Sequence, residues 1–521
     1  MKKKNTVKTI SYVMIITLAG KLMALFRDRL LAQAYGTDME SNAFSAASML
    51  PRVFFDAIFV SAITMSFIPI FSKCMQEGGK KKAFEFSNVF ITAIGILMVG
   101  LSLLGMIFSD TVAAFSVGGF DQATLELCSD LLKILFPTMI FTGFAYSFIG
   151  ILQSLDSFVI PALTSVVFNT VIIAYFFGPN AKWRIYGLAV VYLIGWILQA
   201  AIQIPALHKK GYHFRPDFNW HNSYLKQVGL LILPVMVSTW VQPFNFFINT
   251  KFASGVYQGS AASGINFANS LYTIIVGVFV LSIMNVLFPK MSDLVNQGKK
   301  TELEQLTGQI LGVTMLFVIP MMIGLMSLSQ EVVQLIYGGG EFDEFSVQIT
   351  GTALFYFSLG MIGYALQTIL ARIYFAERNG RVPMIGAIIA ILANIVFCIL
   401  LVGRMEIGGL ALASSLSATI YGLVLMIPLL RGERRVFNQM FFVDILKMTI
   451  SAGLMAGVVF LVKPFIASLM EQGMIMQLLY LLLLTAAGMA VYGLSVLLLR
   501  VHEVQNVKNF LLERRRKKAG A

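Results

Sequence analysis

The sequence predicts an all-α polytopic membrane protein of fourteen transmembrane helices, built as two parallel six-helix repeats followed by two extra C-terminal helices. Three observations carry that reading: the composition, the placement of the apolar runs, and an internal repeat. The 521 residues are 57% hydrophobic and only 12% charged, with a mean hydropathy of +0.79. Soluble domains average about 25% charged residues, and a soluble chain of this length would need charged surface for about three domains. That surface is missing. A soluble enzyme, a disordered chain and a fibrous protein are excluded. A spanning helix uses about 20 apolar residues, and such runs recur along the whole sequence. The 43 Gly and 43 Phe suit helices packed closely in lipid, where small residues let backbones approach.

Apolar runs separated by charged or Gly/Pro-rich breaks place the helices in order. They are α1 (9–34), α2 (42–71), α3 (84–108), α4 (124–152), α5 (158–177), α6 (185–206) and α7 (224–250). They continue with α8 (262–288), α9 (304–327), α10 (346–374), α11 (383–402), α12 (407–430), α13 (443–468) and α14 (474–499). Lys2, Lys3 and Lys4 before an apolar stretch look like a signal peptide, but Lys21, Arg27, Asp28 and Arg29 follow with no small-residue cleavage site. The segment therefore reads as a retained first helix.

Loop charge tests the count, because cytoplasmic loops keep Lys and Arg. One set of connections holds fifteen basic residues: Lys73 and Lys80–Lys82, Lys209, Lys210 and Arg215, Lys290, Lys299 and Lys300, Arg378 and Arg381, and Arg431, Arg434 and Arg435. The other set holds four, Lys182, Arg184, Lys251 and Arg404, together with the acidic loops around 110–121 and 331–344. Both termini are then expected in the cytoplasm, which needs an even number of spans. The net charge of +13 lies mainly on one membrane side, so nucleic acid is not required to explain it. The tail from Arg514 to Lys518 reads as a topology signal.

The first two blocks of six helices resemble each other. Phe67-Ile68-Pro69 closes α2 as Leu287-Phe288-Pro289 closes α8, and Gly79-Lys80-Lys81 precedes α3 as Gly298-Lys299-Lys300 precedes α9. Gly118-Gly119-Phe120-Asp121 precedes α4 as Gly339-Gly340-Glu341-Phe342-Asp343 precedes α10. Pro161 and Asn169 in α5 echo Pro383 and Asn394 in α11, and the offset stays at 219–222 for the prolines and glycines. Six spans is an even number, so the copies are parallel repeats about an axis along the membrane normal. The expected parts are an N-lobe (1–220, α1–α6), a C-lobe (221–440, α7–α12), α13 and α14 (441–500), and a basic tail (501–521).

Ionisable groups within the bilayer are costly and usually face a cavity. α1 carries Lys21, Arg27, Asp28 and Arg29; α2 carries Arg52 and Asp56 around Pro51. The matching part of helices α7 and α8 is polar but uncharged, with Asn249, Ser263, Asn266 and Ser270 among its polar residues. A cavity lined by Lys and Arg suits an anionic substrate, since the planar guanidinium matches phosphate geometrically. Opposing amides suit sugar or peptide groups. Asp130 and Lys133, three apart in α4, read as a structural pair. No Ser/His/Asp set, Walker loop or metal motif occurs, so no catalytic residue, metal or cofactor is expected. The three cysteines, Cys74, Cys128 and Cys398, are isolated and form no disulfide framework.

The chain resembles the MurJ/MviN-type lipid II flippases of the multidrug/oligosaccharidyl-lipid/polysaccharide exporter superfamily. The resemblance rests on Phe26-Arg27-Asp28 with Gly36, Ala43-Phe44, Leu50-Pro51 and Phe67-Ile68-Pro69-Ile70. Ile248-Asn249-Thr250, Phe252-Ala253-Ser254, Ser263, and Tyr374-Phe375 before Pro383 support it. It implies two six-helix lobes, with α13 and α14 forming a groove for a polyprenyl tail. It also implies a substrate, undecaprenyl-pyrophosphate carrying the disaccharide-pentapeptide, moved by alternating access. Arg27 matches a family Arg, and Lys21 stands where another is found. Asn42 replaces a family Asp. A family Arg falls on Phe55, with Arg52 one turn earlier, and another falls on Ser270. α11 holds no acidic residue for the family's sodium site.

The expected function is therefore translocation of a lipid-linked cell-wall precursor across the bacterial plasma membrane, without catalysis. The partners are the undecaprenyl-linked lipid, membrane lipids and cell-wall synthesis proteins. The alternatives are a capsule or O-unit type oligosaccharide-lipid flippase, and a membrane glycosyltransferase or polymerase. The expected cavity residues are Lys21, Arg27, Asp28, Asn42, Arg52, Asn249, Ser263, Asn266 and Ser270.

Overall fold

The computed structural model describes residues 2–62, 66–178, 183–230, 241–377, 379–431 and 439–504. Among them every regular element is helical, and a single bridge between Gly339 and Phe342 is the one β-type pairing. Among the described residues, each of the fourteen expected spans falls mainly on helix. Their ends follow local chemistry. α1 runs Lys2–Tyr35 and stops at Gly36, whose φ of 53° leaves the helical region at no Cβ cost. α2 occupies Met39–Ala62 and resumes at Ile68, in a helical run that continues as α3 to Ile107. Gly78 and Gly79, with Gly79 at φ 67°, break that run between the two spans.

α4 is a bent pair, Gln122–Leu135 and Thr138–Ser154, turned by 41° at Pro137, which lacks the N–H that would continue the ladder. α10 bends by 47° between Glu344–Leu359 and Met361–Ala376 at Gly360. α5 is Val159–Phe176, α6 Arg184–Ala201, and α7 comprises 223–230 and Val241–Ala253. α8 is Ala261–Asn296 and α9 Lys300–Ser327. α11 and α12 share one run, Arg381–Arg431, broken at Glu406 (φ 51°, ψ −126°). α13 is Gln439–Val462 and α14 Met474–Leu498. Among the described residues, seven helices are individually long and apolar enough to cross a membrane, nine if each bent pair is one span.

The repeat is visible as structure. Ser109–Val117 and Ser329–Tyr337 are short helices of 9 residues each, where hydropathy alone gave acidic loops. Each leads into a Gly hairpin and then into a bent helix. Gly79 and Gly298 match as well, at φ 67° and 68°.

The chain divides into two compact units, residues 1–266 with 339–343, and residues 267–338 with 344–521. The first has an aromatic core where Phe67 stacks on Phe86 at 5.3 Å and meets Phe90 at 4.7 Å. Tyr212 closes that core and donates to Asn88 Oδ1 at 2.9 Å. Beside it, Lys82 pairs with Glu77 at 3.2 Å, and Tyr224 donates to the same carboxylate. These hydrogen bonds hold the exposed Glu77 carboxyl below its usual range.

In the second unit α14 packs on α13 and α9. A Cβ on Gly488 would lie 3.1 Å from Met455 and Val459, so the two helices approach at contact distance. Tyr492 donates to the Leu316 carbonyl at 2.8 Å. All three cysteines are buried and free. Lys182, Arg378, Arg434, Arg435, the side chains of Phe55 and Asp56, and the tail 505–521 lie outside the described residues.

Candidate substrate site

The site forms where α1, α2, α5 and α6 converge in the first unit. Arg27 lies about three-quarters of the way along α1, mostly buried. Its Nε and Nη2 donate to Asp28 Oδ1 at 3.0 and 2.6 Å, and its Nη1 donates to Asn169 Oδ1 on α5 at 3.0 Å. Consecutive helical residues point about 100° apart, so the long Arg arm folds back over its neighbour to make this pair. The guanidinium carbon stands 5.8 Å from the centroid of the Phe168 ring, within cation–π range. Phe168 meets Tyr192 of α6 edge-on at 4.8 Å. The Tyr192 hydroxyl accepts from Arg52 Nη1 at 3.4 Å. Arg27 and Arg52 therefore flank one aromatic pair.

Asp28 is buried to 9% exposure and offsets one of these two positive charges. The cluster thus keeps a net positive charge, with Arg27 half-buried and Arg52 exposed, the sign that attracts an anion. Lys21, nearly two turns earlier on α1, is half-buried and has no ion-pair partner among the described residues. Asp130 and Lys133 pair with each other at 3.0 Å on an exposed face, the structural role their spacing predicts.

Asn42 and Ser263 are joined elsewhere. Asn42 Oδ1 accepts from the Ser263 backbone N–H at 3.1 Å and from its hydroxyl at 2.5 Å, while Asn42 Nδ2 donates to the Thr37 carbonyl at 2.9 Å. Both are buried. Asn42 stands ten residues from Arg52 along α2, about 15 Å of helix axis. The pair is separated by 221 positions, the offset of the repeat, so equivalent positions of the two copies bond to each other. Asn249 is buried in the same unit. Asn266 and Ser270 are half-buried on α8, with Ser270 in the second unit.

Two glycine hairpins close one face of the first unit. Gly119 N–H donates to Ser254 Oγ at 3.1 Å, and a Cβ there would lie 2.5 Å from the Gly255 nitrogen. In the other hairpin, Glu341 N–H donates to the Gln33 carbonyl at 2.9 Å. Cβ atoms on Gly36 and Gly340 would come within 2.3 Å of the Glu341 oxygen and 2.2 Å of the Gln33 oxygen. Burial, then Asp343 and Glu341 close by, push the Asp38 carboxyl up.

Phe168, Asn169 and Tyr192 were not singled out as site residues by the sequence; Asn169 stood out only as a repeat landmark. An amide inside an apolar helix was the available signal. Among the described residues no cluster of His, Cys, Asp or Glu is arranged to hold a metal ion.

A helical bundle of duplicated six-helix blocks, with cations set along its first two helices, defines a multi-pass membrane transporter. The family model described as "Lipid II flippase MurJ" matches residues 31–493, and the chain belongs to that family. A probable lipid II flippase MurJ of Haemophilus influenzae is 26% identical over 505 residues, covering 94% of this chain and 99% of the relative. One from Treponema pallidum is 28% identical over 430 residues, 80% of each. A solved structure of lipid II flippase MurJ in an inward closed conformation superposes with a TM-score of 0.80 at 25% identity, covering 94% of this chain and 98% of that one. An inward-facing multidrug transporter of the MATE family shares the fold at a TM-score of 0.67 and 13% identity, over 81% and 98%.

Proposed function

We propose that this protein is a flippase that carries lipid II across the bacterial membrane. It is a transporter, not an enzyme. The observation that carries the reading is the family match along nearly the whole chain, and the cluster of half-buried Arg27 with exposed Arg52 is the chemistry a pyrophosphate headgroup requires. Lys21 and Asp28 complete the headgroup site. Asn249, Asn266 and Ser270 serve the sugars and peptide, and Asn42 with Ser263 holds the helices around them. The lobes 1–220 and 221–440 alternate access, α13 and α14 (441–500) take the polyprenyl tail, and both termini are cytoplasmic. Cell-wall synthesis proteins are the partners that supply and consume the lipid. Depleting the protein is expected to leave lipid II in the cytoplasmic leaflet. Undiminished lipid II accessible from outside would overturn the proposal, and accumulation of a different lipid-linked glycan would favour the capsule-type alternative.

Outward movement of a multiply anionic headgroup is helped by an inside-negative potential, by about 2.3 kcal/mol per charge per 100 mV. Collapsing the potential with an ionophore is expected to slow flipping several-fold, read as externally accessible lipid II. Ser270→Arg restores the charge other family members carry in α8. Because this chain's cations gather on α1 and α2, the added charge is expected to leave complementation unchanged or lower it; a clear gain would mean that α8 also holds the headgroup.

A further inference from the structure

We propose that Asn169 on α5 is a positioning residue for the headgroup, one that fixes the plane of the Arg27 guanidinium and aims its remaining donors at the substrate. The inference rests on reading Arg27 as the headgroup cation. An arginine has five N–H donors. Three are engaged here: Nε and Nη2 to Asp28, and Nη1 to Asn169. One hydrogen remains on each Nη, available to the oxygens of a phosphate.

The grip of Asp28 alone does not orient them. Both of its bonds end on the same atom, Oδ1, so the guanidinium is free to swing about that point. The bond from Nη1 to Asn169, at the far end of the group, stops the swing. Asn169 is itself fixed. Its Nδ2 donates to the Ser165 carbonyl at 2.8 Å and to the Gly20 carbonyl of α1 at 3.2 Å. Backbone carbonyls only accept, so the amide nitrogen must face them and the oxygen must face Arg27. A reversed amide would set N–H against N–H and lose both of those bonds. The helices leave no slack, since a Cβ on Gly20 would lie 3.0 Å from Ser165 Oγ. Asn169 thus holds α1 at two points two turns apart, Gly20 and Arg27.

The test is lipid II binding to the purified full chain in nanodiscs, for wild type, Arg27→Lys, Asn169→Leu and the double variant. Asn169→Leu, similar in volume but apolar, is expected to weaken binding about tenfold, with the melting temperature within a few degrees of wild type. In the Arg27→Lys background, where no planar fork remains to be aimed, the same change is expected to cost less than about twofold. Asn169→Gln, which keeps the amide but displaces it by one methylene, is expected to fall between and carries the test if the leucine variant does not fold. Equal losses in both backgrounds would make Asn169 a plain helix brace and overturn the proposal, as would unchanged binding by Asn169→Leu. Wild type without lipid II binding, or Arg27→Lys binding like wild type, would overturn the headgroup reading beneath it as well.

Discussion

Arg27→Ala is expected to abolish complementation of a strain depleted of its own lipid II flippase. Losing one charge-assisted contact to a buried phosphate costs roughly 2–5 kcal/mol, by analogy with truncated buried charge pairs. That is at least a thirtyfold loss at the lower bound. The ion pair with Asp28 complicates the single variant, because removing Arg27 strands a buried carboxylate and lowers stability. Arg27→Ala combined with Asp28→Asn removes both charges and is expected to return expression to normal without restoring transport. Arg27→Lys is expected to recover only part of the activity, since a point charge cannot span Asp28 and Asn169 at once. Full complementation by Arg27→Ala at normal membrane level would move the headgroup site elsewhere.

The second large effect is expected at Gly340. Its φ of 63° alone costs an L-residue about 1–2 kcal/mol. A Cβ there would also sit 2.2 Å from the Gln33 carbonyl oxygen, a backbone atom that cannot swing aside. Gly340→Ala must push the hairpin off α1 and break the bond from Glu341 to Gln33. Gly298 is the control, with φ at 68° and nothing within 4 Å of its Cβ position. Gly298→Ala is therefore expected to cost only the strain of about 1–2 kcal/mol and to retain most function. Gly340→Ala is expected to lose transport and to expose Ser263→Cys to an impermeant thiol reagent, with Cys74, Cys128 and Cys398 replaced by Ser. Equal labelling in the two alanine variants would show that the hairpin does not guard that face.

The spans and the doubled glycine motifs were legible because each is a local signal, an apolar run or a residue without Cβ; the bend at Pro137 was not read from its missing N–H. Arg27 and Arg52 were legible for the same reason, as formal charges inside apolar helices. What surrounds them was not. Asn169 and Tyr192 reach these arginines across 142 and 140 positions; the amide of Asn169 in an apolar helix was a signal of polarity but not of its partner, and Tyr192 carried none. The short helices Ser109–Val117 and Ser329–Tyr337 escaped because nine residues give too few turns for a clear period, and their acidic residues read as loop. Asn42 and Ser263 were both legible as polar, but their pairing was not, since a hydrogen bond between two copies of one repeat position leaves no periodic trace.

That bond between Asn42 and Ser263 bears on how such a chain arises. In a symmetric homodimer, the residue at a twofold axis faces its own copy, so whatever it donates it must also accept, and its chemistry is confined to self-complementary pairs. Here the equivalent positions have diverged into an acceptor on one side and a double donor on the other. An arrangement of that kind is closed to identical subunits and open to copies that can drift apart in sequence, as two copies joined in one chain can. The fused gene thus gains more than a fixed stoichiometry: at its axis it holds a polar contact that two identical subunits could not make.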